Sequence, residues 1–527
     1  MTNPVAAKRL LLAASESLRA KGSADVFASS PNETEARCDA LFGLLRDAEH
    51  SRLKRSHKLP PTLAFGDAKE VVDNDSILFR VIQRMPKMAL LHTHIGALAS
   101  RRWMVEAMKD ERDLWVAPVV SLGNKPTPIF RFATVQPSPT PFDINAIPHS
   151  LLEENGIGFV KNWPPGGWKR VVDVACADFD DWVLHAFECI DRASDNEWTV
   201  WAHFMNCFTS AAGVLEYAPF FERYVMYTLN QYYTLGIYHL EARSTNFHLY
   251  NLETDALPIS ELYTILRSCL AAFNADKPLL PMSLKIIYCS LRDINRTQMR
   301  ERMDECANLY AAFPDILVGF DLVGHEENSP PLALFAEAYL ARHADPCAGP
   351  PLPPLVLHAG ETAGEGTACA LNVFDAVALG ARRVGHGCSV SRYVGALREA
   401  MQEVCVEMCP MSNQILRLYP NLMNHPLPTL LNHGIPVSIS SDDPGVFGYE
   451  GVDYDYYMMA VAFHSIGLQT LKMVVWNSVR FALGCDDTRK EVLKKVYESE
   501  WGQFMEWLEG VGQGLLDEQE RKERKEC

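Results

Sequence analysis

Ala89-Leu90-Leu91-His92-Thr93-His94 is a short apolar run that stops on polar residues, and the pattern recurs along the chain. It returns at Gly236-Ile237-Tyr238-His239-Leu240-Glu241, at Leu284-Lys285-Ile286-Ile287-Tyr288-Cys289-Ser290 and at Leu317-Val318-Gly319-Phe320-Asp321. Leu355-Val356-Leu357-His358, Arg383-Val384-Gly385-His386, Val404-Cys405-Val406-Glu407-Met408-Cys409 and Pro436-Val437-Ser438-Ile439-Ser440-Ser441-Asp442 complete the series. Such runs predict strands, and intervals such as Pro219 to Tyr233 and Ala368 to Leu379 carry a helical period. Eight strands alternating with helices predict an α/β fold, a (β/α)8 TIM barrel. Reactive groups in such barrels sit at the C-terminal strand ends, where these His, Asp and Glu residues fall.

The first two predicted strands are far apart. Between them, 115–170 is rich in Pro, Gly and Trp (Gln136-Pro137-Ser138-Pro139, Pro164-Pro165-Gly166-Gly167-Trp168), which predicts a long insertion forming a subdomain or lid. An N-terminal helical extension is expected over 1–80. Pro4 and Gly22 bound its first helix, Ser30-Pro31 with Glu33 reads as a capping-box start, and Pro60-Pro61 stops the following period. The barrel itself is assigned to 81–510. Val492 to Leu508 reads as a closing helix, and 511–527 as a charged tail that frays from Asp517.

Composition narrows the function. The 527 residues carry 48% hydrophobic and 22% charged side chains and a net charge of -17. No long basic stretch exists to neutralise phosphates, so no nucleic-acid partner is expected. No apolar run approaches the roughly 18 residues of a membrane helix, so no membrane partner is expected either. Lys8-Arg9 precedes only Leu10-Leu11-Leu12-Ala13-Ala14, short of the roughly 7–15 residues of a signal core. Fourteen cysteines without CxxC pairs fit reduced thiols, and the expectation is a cytoplasmic protein, with secretion by another route left open. Asn32-Glu33-Thr34 and Asn295-Arg296-Thr297 fit the glycosylation triplet.

His92 and His94 are two apart on a strand, so both imidazoles face one side and can grip one ion. His358 and Asp442, each at another strand end, complete a set of three imidazoles and one carboxylate. Zinc suits this mixed nitrogen and oxygen set and activates water near neutral pH. His386, between Gly385 and Gly387, reads either as a group orienting that water or as a strand-end hydrogen bonder. Glu361 lies three residues beyond His358, where a partly buried carboxyl can stay protonated and donate. Asp443 should point away from the ion, as a substrate contact or a helix cap before Pro444. Trp201 is a candidate pocket wall or a core aromatic.

Met85-Pro86-Lys87 with His92-Thr93-His94, Gly319-Phe320-Asp321-Leu322-Val323-Gly324-His325-Glu326 and His358-Ala359-Gly360-Glu361-Thr362 together resemble the adenosine deaminases. Arg383-Val384-Gly385-His386-Gly387, Glu407-Met408-Cys409-Pro410-Met411-Ser412-Asn413 and the segment from Ser440 to Gly448 extend the match. So do Phe130-Arg131-Phe132-Ala133 and Glu216-Tyr217-Ala218-Pro219. The likeness is greatest to the adenosine deaminase-related growth factor, or type 2, branch. It implies one zinc per subunit on His92, His94, His358 and Asp442. It also implies hydrolytic deamination of a purine nucleoside, with activated water attacking C6 under the guidance of His386 and Asp442. Glu361 would protonate N1, Asp443 would hold N7, and the Gly324 N–H would hold N3. A homodimer through the N-terminal helices is a further implication.

The sequence departs from the family in two respects: the signal peptide and insert disulfide of the secreted relatives are not expected, since no Cys lies between Cys38 and Cys176, and Ile95-Gly96 follows His94, where an acidic or amide residue usually meets the ribose. Adenine, AMP or a modified adenine nucleoside therefore stand as alternative substrates, and Arg101-Arg102 is either a phosphate contact or a solvated helix face. Deaminases of bases in nucleic acid use H-x-E with P-C-x-x-C; His239-Leu240-Glu241 fits the first half and nothing fits the second. The remaining alternative is a non-catalytic, growth-factor-like relative.

Overall fold

A computed structural model describes residues 31–120, 126–138, 167–190, 197–344 and 349–526. The helix expected between Pro4 and Gly22, Ser30, and most of 115–170 lie outside the described residues. β1 (Met88–His94) is followed by β2 (Leu114–Val120), β3 (Pro126–Phe132) and β4 (Lys169–Arg170), which pair antiparallel in the order β3-β2-β4. Then come β5 (Ile237–Ser244), β6 (Ser283–Leu291), β7 (Leu317–Val323), β8 (Val356–Ala359), β9 (Arg383–His386), β10 (Cys405–Met408) and β11 (Val437–Ile439).

β1-β5-β6-β7 form one parallel sheet and β8-β9-β10-β11 another. Parallel bridges between Phe320 and Leu355 and between Thr93 and Asp442 join the two at both edges, closing a ring of eight. Every residue of β7, β8, β9, β10 and β11 is buried, the near-continuous apolar reading of strands covered on both faces. The exceptions are charged side chains at the ring's centre.

The extension consists of α1 (Glu33–Arg55), α2 (Phe65–Asp75) and α3 (Ile77–Arg84). The capping box of α1 is built on Asn32, not Ser30. Its side chain accepts from the Glu35 N–H at 2.8 Å, and Glu35 accepts the Asn32 N–H at 3.3 Å. Asn295 caps Arg296–Ala312 in the same way, so both glycosylation-like triplets are helix starts. Between β4 and β5, α4 (Glu197–Leu215) lies on β3 of the insertion, and a Cβ at Gly213 would fall 1.8 Å from the Phe130 carbonyl oxygen. Only glycine allows that approach. α5 (Ala218–Thr234) leads into β5.

The chain ends in α6 (Asp487–Glu526), far longer than the expected closing helix. The charged stretch from Asp517 forms its last turns rather than a frayed tail. The reason is pairing: Arg80 meets Glu518 at 2.7 Å, Lys522 meets Asp75 at 2.6 Å and Arg55 meets Glu523 at 3.3 Å. None of the described helices is long and apolar enough to cross a membrane.

Candidate active site

The C-terminal strand ends bring the expected residues together. β1 delivers His92 and His94, β8 delivers His358, β9 delivers His386, and Asp442 follows β11. His92 and His94 each place Nε2 3.2 Å from Asp442 Oδ1. The ring of His358 lies 4.6 Å from that of His92 and 5.7 Å from that of His94, centroid to centroid. Donor atoms of His92, His358, His386 and Asp442 all lie within 4.8 Å of one another, and those of His94, Asp442 and Asp443 form a second such group.

The strands also decide which ring nitrogens face the centre. His92 Nδ1 is 2.8 Å from Glu407 Oε2 on β10, and His358 Nδ1 is 2.6 Å from Asp321 Oδ2 on β7. A carboxylate accepts, so each Nδ1 carries the proton and each Nε2 offers its lone pair inward. Arg243 on β5 clamps the two carboxylates, at 2.7 Å from Asp321 and 2.6 Å from Glu407. Burial alone would raise Glu407, but Arg243 and Arg383 hold it well below the usual carboxylate range. Burial likewise opposes ionisation of Asp321, and His358 and Arg243 outweigh it. Burial pushes His358 down to about 4, the direction that keeps it a neutral ligand.

His92 Nε2 and Asp442 Oδ1 are buried and make no hydrogen bond among the described residues. Uncompensated buried polar atoms are rare, and these converge with two further imidazoles. The donor set fits a divalent cation held by His92, His94, His358 and Asp442.

Two non-glycine residues take left-handed backbone here, His386 at φ 56° and Asp442 at φ 62°. Such conformations cost of order 1–3 kcal/mol each and gather at functional sites. The Asp442 N–H donates to the His92 carbonyl, and the His94 N–H to the Asp442 carbonyl, both at 3.1 Å, which hold the turn. Because Asp442 leaves the extended conformation, strand alternation no longer applies. Asp443 turns toward His94 and Asp442 instead of pointing away. Burial and the neighbouring Asp442 push its carboxyl well above the usual range.

A relay of hydrogen bonds sets the tautomer of His386. The Leu427 N–H donates to His425 Nδ1 at 3.3 Å, so the His425 proton sits on Nε2 and is given to Asn413 Oδ1 at 3.1 Å. That orients the Asn413 amide so that Nδ2 donates to His386 Nδ1 at 3.2 Å. The neutral His386 ring therefore carries its proton on Nε2, 3.5 Å from Glu361 Oε1 and 3.7 Å from Asp442 Oδ2. Burial lowers both rings, His425 to about 3 and His386 well below its ordinary value.

Glu361 is buried beside this centre. Its own N–H and that of Gly360 donate to Glu326 at 2.8 and 2.9 Å. Burial, then Asp442 and Glu326, push the Glu361 carboxyl well above the usual range, so it keeps its proton. These groups form the floor of a cavity of about 320 Å³ whose walls include Trp201, Phe204, Phe208, Phe247 and Val323, with Gly324 at its edge. Trp201, on α4, stacks on His325 at 4.4 Å.

Arg101 is neither at the cavity mouth nor on a solvated face. It is fully buried, and its guanidinium donates to the Gly96 carbonyl at 2.8 Å. Arg102 is exposed and outside the cavity lining. His239 and Glu241 lie lower on β5, outside the cavity lining. Sequence reasoning assigned no role to Asp321, Glu407, Arg243, Glu326 or Asn413. The available signal was charge inside otherwise apolar strands, at Arg243, Asp321 and Glu407.

A sequence profile described as "Adenosine deaminase" matches residues 184–499. The chain is 30% identical over 480 residues to "Adenosine deaminase 2" of Sus scrofa, spanning 90% of this chain and 89% of the relative. It is 31% identical over 471 residues to "Adenosine deaminase 2-A" of Danio rerio, spanning 88% of each. Among solved structures, an adenine deaminase from Arthrobacter aurescens superposes with a TM-score of 0.52 at 20% identity. The superposition covers 80% of this chain and 99% of that one, and it shows the shared barrel. Family profile, relatives and barrel agree with the motifs and with the residues at the strand ends: the chain belongs to the adenosine deaminase family, hydrolases acting on a C–N bond.

Proposed function

We propose that the chain is a zinc-dependent hydrolase that deaminates adenosine or deoxyadenosine, releasing ammonia and leaving inosine or its deoxy analogue. The observation that carries this reading is the convergence of four donor side chains, two of their atoms unsatisfied, beside Glu361 at the floor of an apolar cavity. His92, His94, His358 and Asp442 would hold one zinc. When bound, the ion supplies Lewis acidity that makes water a competent nucleophile at neutral pH.

The chain's own groups supply the rest. The apolar walls take the purine faces and exclude water. His386 Nε2–H donates to the attacking oxygen and aims it, and Asp442 Oδ2, on the same side, receives the proton that the water gives up. Glu361 delivers its proton to N1, which ends the ring's aromaticity and lets C6 become tetrahedral. The proton held by Asp442 then passes to the amine, the C6–N bond breaks, ammonia leaves, and the C6 hydroxyl proton returns to Glu361. Asp443, protonated, donates to N7, and the Gly324 N–H donates to N3. N1 accepts in a 6-aminopurine and carries a proton in a 6-oxopurine, so the protonated Glu361 facing it discriminates between the two.

Metal analysis combined with an ultraviolet assay on adenosine, deoxyadenosine, adenine and AMP tests the reading. The expected result is about one zinc per chain and loss of absorbance with adenosine or deoxyadenosine. Turnover of adenine or AMP alone would move the substrate assignment, and no change with any of the four would refute it.

A further inference from the structure

Away from the active site, towards the N-terminal strand ends, a thiol meets a buried imidazole. Among the described residues ten cysteines are buried, Cys176 is exposed, and Cys485 is partly exposed in the turn before α6, between exposed Gly484 and Asp486. Cys485 Sγ lies 3.2 Å from His239 Nδ1, which also has Ser283 Oγ at 3.0 Å. On the ring's far side, Nε2 lies 3.0 Å from Glu241 Oε1. Glu241 accepts from the Leu483 N–H at 2.6 Å and is paired with Arg383. His239 and Glu241 are completely buried. The order thiol, imidazole, carboxylate is that of an activated nucleophile whose base is oriented by a third group.

We propose that Cys485 is a site of covalent modification, a thiolate activated by His239 and oxidised by hydroperoxides. The thiol proton rests on His239 Nδ1, and Glu241 stabilises the resulting imidazolium. The other charges facing the thiol are the cations Lys285 on β6 and Arg489 on α6, with Asp486 beside Arg489. The shifts agree with the geometry. Burial opposes both, yet Cys485 and Glu241 raise His239, and His239 lowers Cys485. In the reaction, sulfur attacks one peroxide oxygen and the O–O bond breaks. The departing hydroxide, or the alkoxide when the oxidant is an alkyl hydroperoxide, takes the proton from His239 and leaves as water or the alcohol, and the two-electron oxidation leaves a sulfenic acid.

Cys485, unlike the ten buried cysteines, is partly exposed, so the proposal expects solvent-borne reagents to reach it, which a merely structural contact does not. The test is independent of the deaminase reading. The folded protein is treated briefly with iodoacetamide at pH 6, 7 and 8, and alkylation at each cysteine is followed by mass spectrometry, with exposed Cys176 as the internal reference. A thiol near the ordinary pKa of about 8.5 is only roughly 0.3% ionised at pH 6. Cys485 is expected to react at least about tenfold faster than Cys176 at pH 6 and to keep most of its rate below pH 7. Hydrogen peroxide followed by dimedone is expected to label Cys485 first. His239→Gln should bring Cys485 to the rate of Cys176. Should that variant fail to fold, the wild-type pH profile decides: a Cys485 rate that climbs about tenfold per pH unit between pH 6 and 8 overturns the proposal.

Discussion

Replacing Glu361 by glutamine separates proton delivery from everything else the site does. The side chain is isosteric, it stands outside the groups whose donor atoms converge, and its N–H to Glu326 bond belongs to the backbone. Metal content should therefore match wild type. A positioned general acid is worth about 10²–10⁴ in rate, or about 2.7–5.4 kcal/mol of barrier. Turnover of adenosine should fall by that factor with little change in KM. The same substitution has a stability signature of opposite sign. The carboxyl of Glu361 sits well above its ordinary value in the fold, chiefly through burial and then Asp442. Below the unfolded value, near 4.3, both states are protonated and the group costs nothing. As pH rises above it, the unfolded chain gains by ionising while the folded chain resists, so wild type loses stability that the amide cannot lose. Metal-free Glu361→Gln should melt with metal-free wild type at pH 4 and above it at pH 7–8, as read by calorimetry. Turnover within tenfold of wild type at full metal occupancy would refute the acid assignment; coincident melting at pH 8 would refute the burial argument.

The other predictions follow from single contacts. His358→Ala should lose metal and activity together, checked by metal analysis and the ultraviolet assay on one sample. Asp321→Asn removes the carboxylate that accepts from His358 Nδ1 at 2.6 Å and its N–H at 2.8 Å, and metal affinity in a chelator competition should weaken about 10–100-fold. A Cβ at Gly385 would lie 3.0 Å from His92 Cε1 and 3.2 Å from His358 Cα, so Gly385→Ala should cost about 1–3 kcal/mol in denaturant unfolding and lower metal occupancy. Asn295→Ala deletes the cap of Arg296–Ala312 and should cost about 1 kcal/mol with turnover unchanged, read from Tm and the same assay.

Hydrophobic patterning made the barrel legible because each strand's apolar run is local, and the eight predicted runs coincide with β1 and β5–β11. The four metal-ligand candidates were legible for the same reason, since each lies at the end of a run and a barrel gathers its strand ends, and Glu361 follows one of those ends by three residues. Caps and termini read less well. Ser30 and Asn32 offer the same chemistry two residues apart, and the charges after Asp517 look solvated until their partners on α1, α2 and α3 are known.

By itself, the amino-acid order determined which residues reach the rim of the ring, since strand period and strand ends depend on neighbours in the chain. Only the tertiary structure decided how those residues are set to work. His92 and Glu407 are separated by 315 positions, and no local pattern couples them, yet their contact chooses the ring nitrogen that faces the cation site. The left-handed turn at Asp442 reversed the expected direction of Asp443, and the relay from Leu427 through His425 and Asn413 set the proton on His386. Protonation and tautomer are properties of contacts and burial, which exist only once the chain has closed on itself.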